Sequence, residues 1–201
     1  MLHFPDATND SAAKNYAVAT TDSPWILFLD DSVEAIDPDW LTIMAEHVQR
    51  SEVGARVVNP NGTIEHDGLV LGLNGIAESA FHGFPAEYPG VNRQLRMIRN
   101  YSAVSSACIL TRREVFQQVA GFDENLSDTL ADVDLCLKMR RAGYLIVYTP
   151  LAKLIEESPE SETDVVGGEA IIRQRWSDVL ERDPYYNPNL SHEQADFSLG
   201  E

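Results

Sequence analysis

Five consecutive apolar residues, Trp25 to Leu29, run directly into two carboxylates, Asp30 and Asp31. An uninterrupted apolar run of this length reads as a strand buried on both faces of a mainly parallel sheet. Ligands of open α/β sheets sit just beyond the carboxyl ends of the strands, so Asp30 and Asp31 fall where such a fold does its chemistry. An acidic turn with no further role fits the same residues. The rest of the chain has to decide between the two.

Along the chain, Ser11 to Ala19 reads as a short helix feeding that strand. A helix then begins with Asp37 as cap and Pro38 in its first position, and Leu41, Met44, Ala45 and Val48 form its buried stripe. Val53 to Val58 reads as a strand, Pro60-Asn61-Gly62 as a turn, and 63–75 as a hairpin. Residues 76–100 show no sustained period and mix Phe81, His82, Phe84 and Tyr88 with Gly and Pro, as in a long functional loop. Ser102 to Leu110 is strand-like, and Thr111 to Glu114 has the form of a capping box before a helix that Gly121 ends. Asp128 caps a further helix ended by Gly143, and Tyr144 to Tyr148 reads as a strand stopped by Pro150. The stretch 156–164 is charged and free of large apolar residues, the mark of a linker. Ile171, Ile172, Trp176 and Val179 mark a last helix before a Pro- and Asn-rich tail. The expected organisation is one α/β domain over 1–155, an acidic linker over 156–164, and a helix with an extended tail over 165–201.

A length of 201 residues suffices for one sizeable core. The formal net charge of -17, from 32 acidic and 15 basic side chains, repels nucleic-acid phosphates and anionic membrane surfaces. A phosphorylated ligand then needs a cation or a local basic group to offset that repulsion. Cys108 and Cys136 sit in apolar contexts and read as buried free thiols. No apolar run approaches a membrane span and no signal-peptide pattern opens the chain, so the expected location is the cytoplasm.

Two acidic groups lie far apart in sequence: Asp30-Asp31-Ser32, and Asp132 with Asp134 at the start of a helix. One such group can hold a hard divalent cation that neutralises a diphosphate leaving group, while the other supplies a base for an attacking hydroxyl. Helix-terminus electrostatics account equally for Asp132 and Asp134. No Ser/His/Asp order, Gly-rich phosphate loop or CxxC motif is present. His66 and His82 are expected at the surface, although His82 beside Phe81 could line a groove.

The segment from Asp30 to Leu41 resembles the metal-binding segment of family 2 inverting glycosyltransferases. Gly121 to Glu124, Ala131 to Gly143 and Tyr144 to Pro150 are similar to the family's acceptor-side helix and closing strand. Arg175-Trp176 and Asp183 to Leu190 resemble tails of bacterial, rhamnosyltransferase-like members that build surface polysaccharides. The resemblance implies a GT-A fold, an α/β domain whose mixed, mostly parallel sheet is flanked by helices. It implies transfer of a sugar from a nucleotide-diphosphate donor to a glycan or lipid-linked saccharide acceptor, with inversion. By position it makes Asp30 and Asp31, with Ser32, the residues facing the diphosphate and its Mg²⁺ or Mn²⁺. It makes Asp132 the general base, and it sets Ser105 and Ser106 beside the acceptor. The chain departs from the pattern at Ser32, usually Asp, at Ala131, usually acidic, and at Glu156 and Glu157, where a metal-binding histidine often stands; either glutamate could still ligate Mg²⁺ or Mn²⁺, while the linker reading places both in solvent. The N-terminal strand–helix units that bind the donor's base and ribose are also missing, which implies an open sheet edge suited to pairing with a second copy. A non-catalytic glycan- or partner-binding domain of the same fold, and a nucleotidyltransferase, are the alternative readings.

Overall fold

The computed structural model describes residues 9–157 and 168–200; most of the expected acidic linker lies outside them. The framework is a seven-stranded sheet. Its main order is β1 (Trp25–Leu29), β8 (Cys108–Arg112), β3 (Ser51–Val58), β9 (Leu145–Glu156) and β2 (Val33–Ala35). Strand β4 (Ile64–His66) adds to β3, and β7 (Arg99–Asn100) to β9. Among the described residues only β3 and β9 run parallel; every other pair in this sheet is antiparallel. The expectation of a mostly parallel sheet is therefore corrected to a mixed one. The physical reason is that covering both faces makes a strand apolar throughout, whatever the direction of its neighbours. All eight residues of β3 are buried.

Strand β1 is not buried on both faces. Ile26 and Phe28 are buried, whereas Trp25 is 41% and Leu29 42% exposed. Among the described residues β1 pairs only with β8 and ends the sheet, so part of its apolar run lies open at an edge.

Two apolar layers cover the sheet. On one face, Ile26, Phe28 and Ile109 pack with Val115 and Phe116 of α3 (Arg113–Gln118), Val133 and Leu137 of α4 (Asp128–Arg141), and Ile172 and Trp176 of α5 (Glu169–Glu181). On the other, Val53, Val57, Cys108 and Leu110 pack with Met44 of α2 (Trp40–Ala45). The first helix, α1 (Asp10–Ala19), is capped by the Asn9 side chain, which accepts from the Ala12 amide at 2.9 Å. No described helix is long and apolar enough to cross a membrane.

Three helix starts differ from expectation. Thr111 belongs to β8, paired with Ile26, so no capping box forms, and α3 starts without a side-chain cap. The N-cap of α4 is Ser127, with Asp128 its first helical residue. The Asp37 carboxylate accepts from the Asp39 amide at 2.9 Å, ahead of a helix that begins only at Trp40.

Strand β9 does not stop at Pro150. Thr149 pairs with Ala55 and Lys153 with Arg56, so residues 150–152 are extra on the β9 side. A proline is tolerated there because an irregularity needs no ladder N–H from it. Beyond this shift, Leu154 and Ile155 pair with Val57 and Val58, and the strand ends at buried Glu156.

The 72–100 region is irregular but anchored. The Arg56 side chain donates to Asp67 Oδ1 (2.8 Å), Asp67 Oδ2 (3.3 Å), Leu95 O (2.7 Å) and Ala86 O (3.3 Å). A separate hairpin, β5 (Leu69–Leu71) with β6 (Ala77–Ser79), stands beside it. The tail docks on both: Asp183 accepts from the Leu71 amide and the Ser102 hydroxyl, and Phe197 stacks on Phe81. Arg56→Met strands the buried Asp67 carboxylate and is expected to cost about 3–5 kcal/mol in urea unfolding. Adding Asp67→Leu should restore part of that loss; a single variant within 1 kcal/mol of the parent, on the order of a routine surface change, would refute the anchoring role.

Candidate active site

The acidic turn after β1 is a closed unit. The Asp30 amide donates to Ala107 O at 3.1 Å. Asp30 Oδ1 accepts from the Ser32 amide at 2.9 Å and from the Ser32 hydroxyl at 2.7 Å. Partial burial works against the ionised form of Asp30. The Ser32 amide and hydroxyl, with the charge of Lys14, outweigh it and hold the carboxyl below its ordinary value. Asp31 is exposed beside it. The Ser32 hydroxyl also lies 3.2 Å from Glu156 Oε1, and the Glu157 amide donates to Ser32 O at 3.0 Å. With one proton, the hydroxyl serves one carboxylate at a time. The end of β9 is thereby stitched to the acidic turn.

Asp132 lies in the first turns of α4 and is 4% exposed. Its Oδ2 accepts from the Ser106 amide at 2.7 Å. Ser106 is bonded to Ala107, whose carbonyl receives the Asp30 amide. The two acidic groups, a hundred residues apart in sequence, thus meet on either side of one short backbone step. Lys14 on α1 donates to the Ser106 hydroxyl at 2.8 Å and pairs with Asp10, so a cation stands beside both. Asp134, two residues on, does something different: its Oδ1 accepts from Arg175 at 2.6 Å and from the Trp176 indole at 2.9 Å, clamping α5 to α4.

Glu156 is buried rather than in a solvated linker, and His66 on β4 approaches it, with Nε2 3.9 Å from Oε2. His66 is partly buried, and burial holds its ring below the ordinary histidine value despite the nearby charges of Glu65 and Asp30. A cavity of about 520 Å³ opens beside it, lined by Glu65, His66, Ser79, Phe81, His82 and Phe84 among others.

No protein-family model matches the chain. The chain is 34% identical over 203 residues to the O-antigen biosynthesis protein RfbC of Myxococcus xanthus, covering 95% of this chain and 16% of that protein. It is 26% identical over 189 residues to the pre-mycofactocin glycosyltransferase of Mycobacterium tuberculosis, covering 92% of this chain and 37% of that one. Its fold matches a crystal structure of GalNAc-T7 with UDP, GalNAc and Mn²⁺ at a TM-score of 0.59 and 12% identity, over 86% of this chain and 36% of that one. The chain is related in sequence to bacterial proteins that include a glycosyltransferase, and its fold is like that of the GalNAc-T7 structure. It spans well under half the length of these relatives.

In this glycosyltransferase relative, Asp30, Asp31 and Ser32 form one group, and Asp132 adjoins it through Ser106 and Ala107. Lys14, Glu65 and His66 are additions that sequence reading did not place there, and Glu156, one of two glutamates at the position of the family's metal-binding histidine, is buried beside the turn rather than in a solvated linker. For Glu156 a signal existed: Ala152, Leu154 and Glu156 alternate in step, and all three are buried. The chemistry of the donor set suits a hard divalent cation, with two exposed aspartates, a serine hydroxyl and the Glu156 carboxylate within that hydroxyl's reach.

Glu52 on β3 is a further buried acid facing this region. It is 0% exposed, and neither carboxyl oxygen has a partner of hydrogen-bond geometry. Burial first, and then the charge of Asp132, push it up to about 8, with weak opposing support from the Cys136 thiol. The folded chain therefore holds a proton that the unfolded chain releases near the ordinary glutamate value of 4.5. Stability from this group is present at low pH and falls as pH rises from about 4.5 to about 8. Glu52→Gln is expected to remove that part of the slope, leaving a flatter melting temperature between about pH 5 and pH 9. A variant with the parent's slope would show that Glu52 ionises normally.

Proposed function

We propose that the chain is the acceptor-side part of an inverting glycosyltransferase that moves a sugar from a nucleotide-diphosphate donor to a hydroxyl of a glycan or lipid-linked saccharide in bacterial polysaccharide biosynthesis. The observation that carries the reading is the Ser106–Ala107 step, which holds Asp132 by its carboxylate and Asp30 by its amide. Single displacement needs a base on one side of the anomeric carbon and a stabilised leaving group on the other, and two acidic groups on different elements suit that need.

In this reading Asp132 takes the proton of the attacking hydroxyl while the Ser106 amide fixes the carboxylate's orientation. The acceptor oxygen bonds to the anomeric carbon, the bond from that carbon to the diphosphate oxygen breaks, and the electron pair leaves with the nucleoside diphosphate. Asp30 shapes the turn, so that Asp31 and Ser32 can face the diphosphate and a Mg²⁺ or Mn²⁺ ion. That cation, when bound, neutralises charge on the leaving group. In a chain of net charge -17 such neutralisation is essential, and Lys14 adds to it. The open edge of β1 is the place where a second copy or further strands would pair.

A non-catalytic glycan-binding role is the second reading, favoured by Ser32, whose neutral hydroxyl spends its proton on Asp30 or Glu156. Asp132→Asn separates the two. Assayed with UDP-, GDP- and dTDP-sugars and oligosaccharide acceptors, it is expected to lower kcat by about 10²–10⁴-fold with donor KM within a few-fold. Transfer at the parent's rate would remove Asp132 as base, and glycan binding without transfer by the parent would support the second reading.

A further inference from the structure

We infer that Glu65, His66 and Glu156 form a site for a divalent transition-metal ion, with mixed nitrogen and oxygen donors, between the acidic turn and the adjoining cavity. One potential ligand atom from each of the three lies within 4.8 Å of the other two. The inference deepens the transferase reading by adding ligands for its cation beside the acidic turn, and it rests on that reading only for the ion's purpose.

The backbone positions are fixed before any ion arrives. His66 is set by its pairing with Val57 and Glu156 by the ladder that joins Ile155 to Val58, so both ligands hang from the same strand, β3. Glu65 is oriented by Asn59, whose amide donates to Oε2 at 2.7 Å, and Glu156 by the Ser32 hydroxyl at 3.2 Å. Such outer contacts are what metal-binding carboxylates use to hold their direction.

The imidazole is uncommitted. Its Nδ1 is buried with no hydrogen-bond partner, and its Nε2 stands 3.9 Å from Glu156 Oε2, too far for a hydrogen bond. Two ligands bound at ~2.0–2.2 Å to one ion lie about 3–3.5 Å apart, so a small inward movement would let an ion bridge them. A neutral imidazole offers a nitrogen lone pair to a cation.

One imidazole with two carboxylates favours Mn²⁺, Co²⁺ or Zn²⁺ over Mg²⁺, which prefers oxygen alone. Glu65 and His66 also line the 520 Å³ cavity, so an ion there would keep coordination positions open to a ligand oxygen. These residues supply the donors that Ser32 withholds from the acidic turn.

The test is Mn²⁺ titration of the purified chain without nucleotide, followed by the loss of the free-ion EPR signal, with Mg²⁺ as competitor. The parent is expected to bind Mn²⁺ and to prefer it to Mg²⁺. His66→Ala and Glu156→Gln should each weaken binding about 10-fold or more and erase the preference. His66→Gln, checked for an unchanged melting temperature, guards against misfolding, and Mn²⁺ should selectively broaden the His66 ring resonances of the parent. Unchanged affinity in both His66 variants, or no binding of Mn²⁺, Co²⁺ or Zn²⁺ by the parent, would each overturn the site. A chain that binds Mn²⁺ through His66 yet transfers no sugar would sustain the site and sink the transferase reading.

Discussion

The parallel pairing of β3 with β9 is the constraint on which the rest of the molecule hangs. It continues across the irregularity at 150–152 and resumes in register at Lys153, which delivers Glu156 to the acidic turn. Had β9 ended at Pro150, the turn would lack Glu156 and the Glu157 amide, and β2 would have no partner. The other side of β3 carries β8 and β4, which bring in the Ser106–Ala107 step and His66. One central strand therefore positions Glu156, His66 and the Ser106–Ala107 step, and through that step it meets the acidic turn and Asp132.

A chain with so many acids must settle each buried carboxylate separately, and the solutions differ. Asp67 is met by the Arg56 guanidinium, although burial still wins and pushes it up to about 6. Asp134 is met by Arg175 and Trp176 and serves packing. Glu52 has no such partner and keeps its proton instead. Asp132 accepts from the Ser106 backbone amide, a contact that orients its carboxylate and suits the base proposed for it. That contrast is why Asp132 and Asp134, two residues apart on one helix, are assigned opposite purposes.

The acidic turn was legible because an apolar run and two carboxylates stand side by side, a purely local signal. Asp132 was singled out by its surroundings in sequence, but its partner at Ser106 depends on folding. Strand direction was not legible, since burial on both faces gives the same apolar run to parallel and antiparallel strands. Thr111 suited a helix cap equally well, until its place opposite Ile26 gave its backbone to the ladder. Glu156 was left with the linker because Pro150 masks the continuing alternation and the acidic stretch beyond it looks solvated. His66 was expected at the surface, because its neighbour Glu156 is on a strand far along the chain and leaves no local signal.

The central claim is that the acidic turn and its neighbours accept a nucleotide diphosphate with the help of a cation. Calorimetric titration with UDP, GDP and dTDP, each with and without Mn²⁺, tests it most directly, with Asp31→Ala as control. The account predicts that one nucleotide binds only with the ion present and that the control abolishes it. Binding that ignores the ion, or that survives in the control, would contradict it.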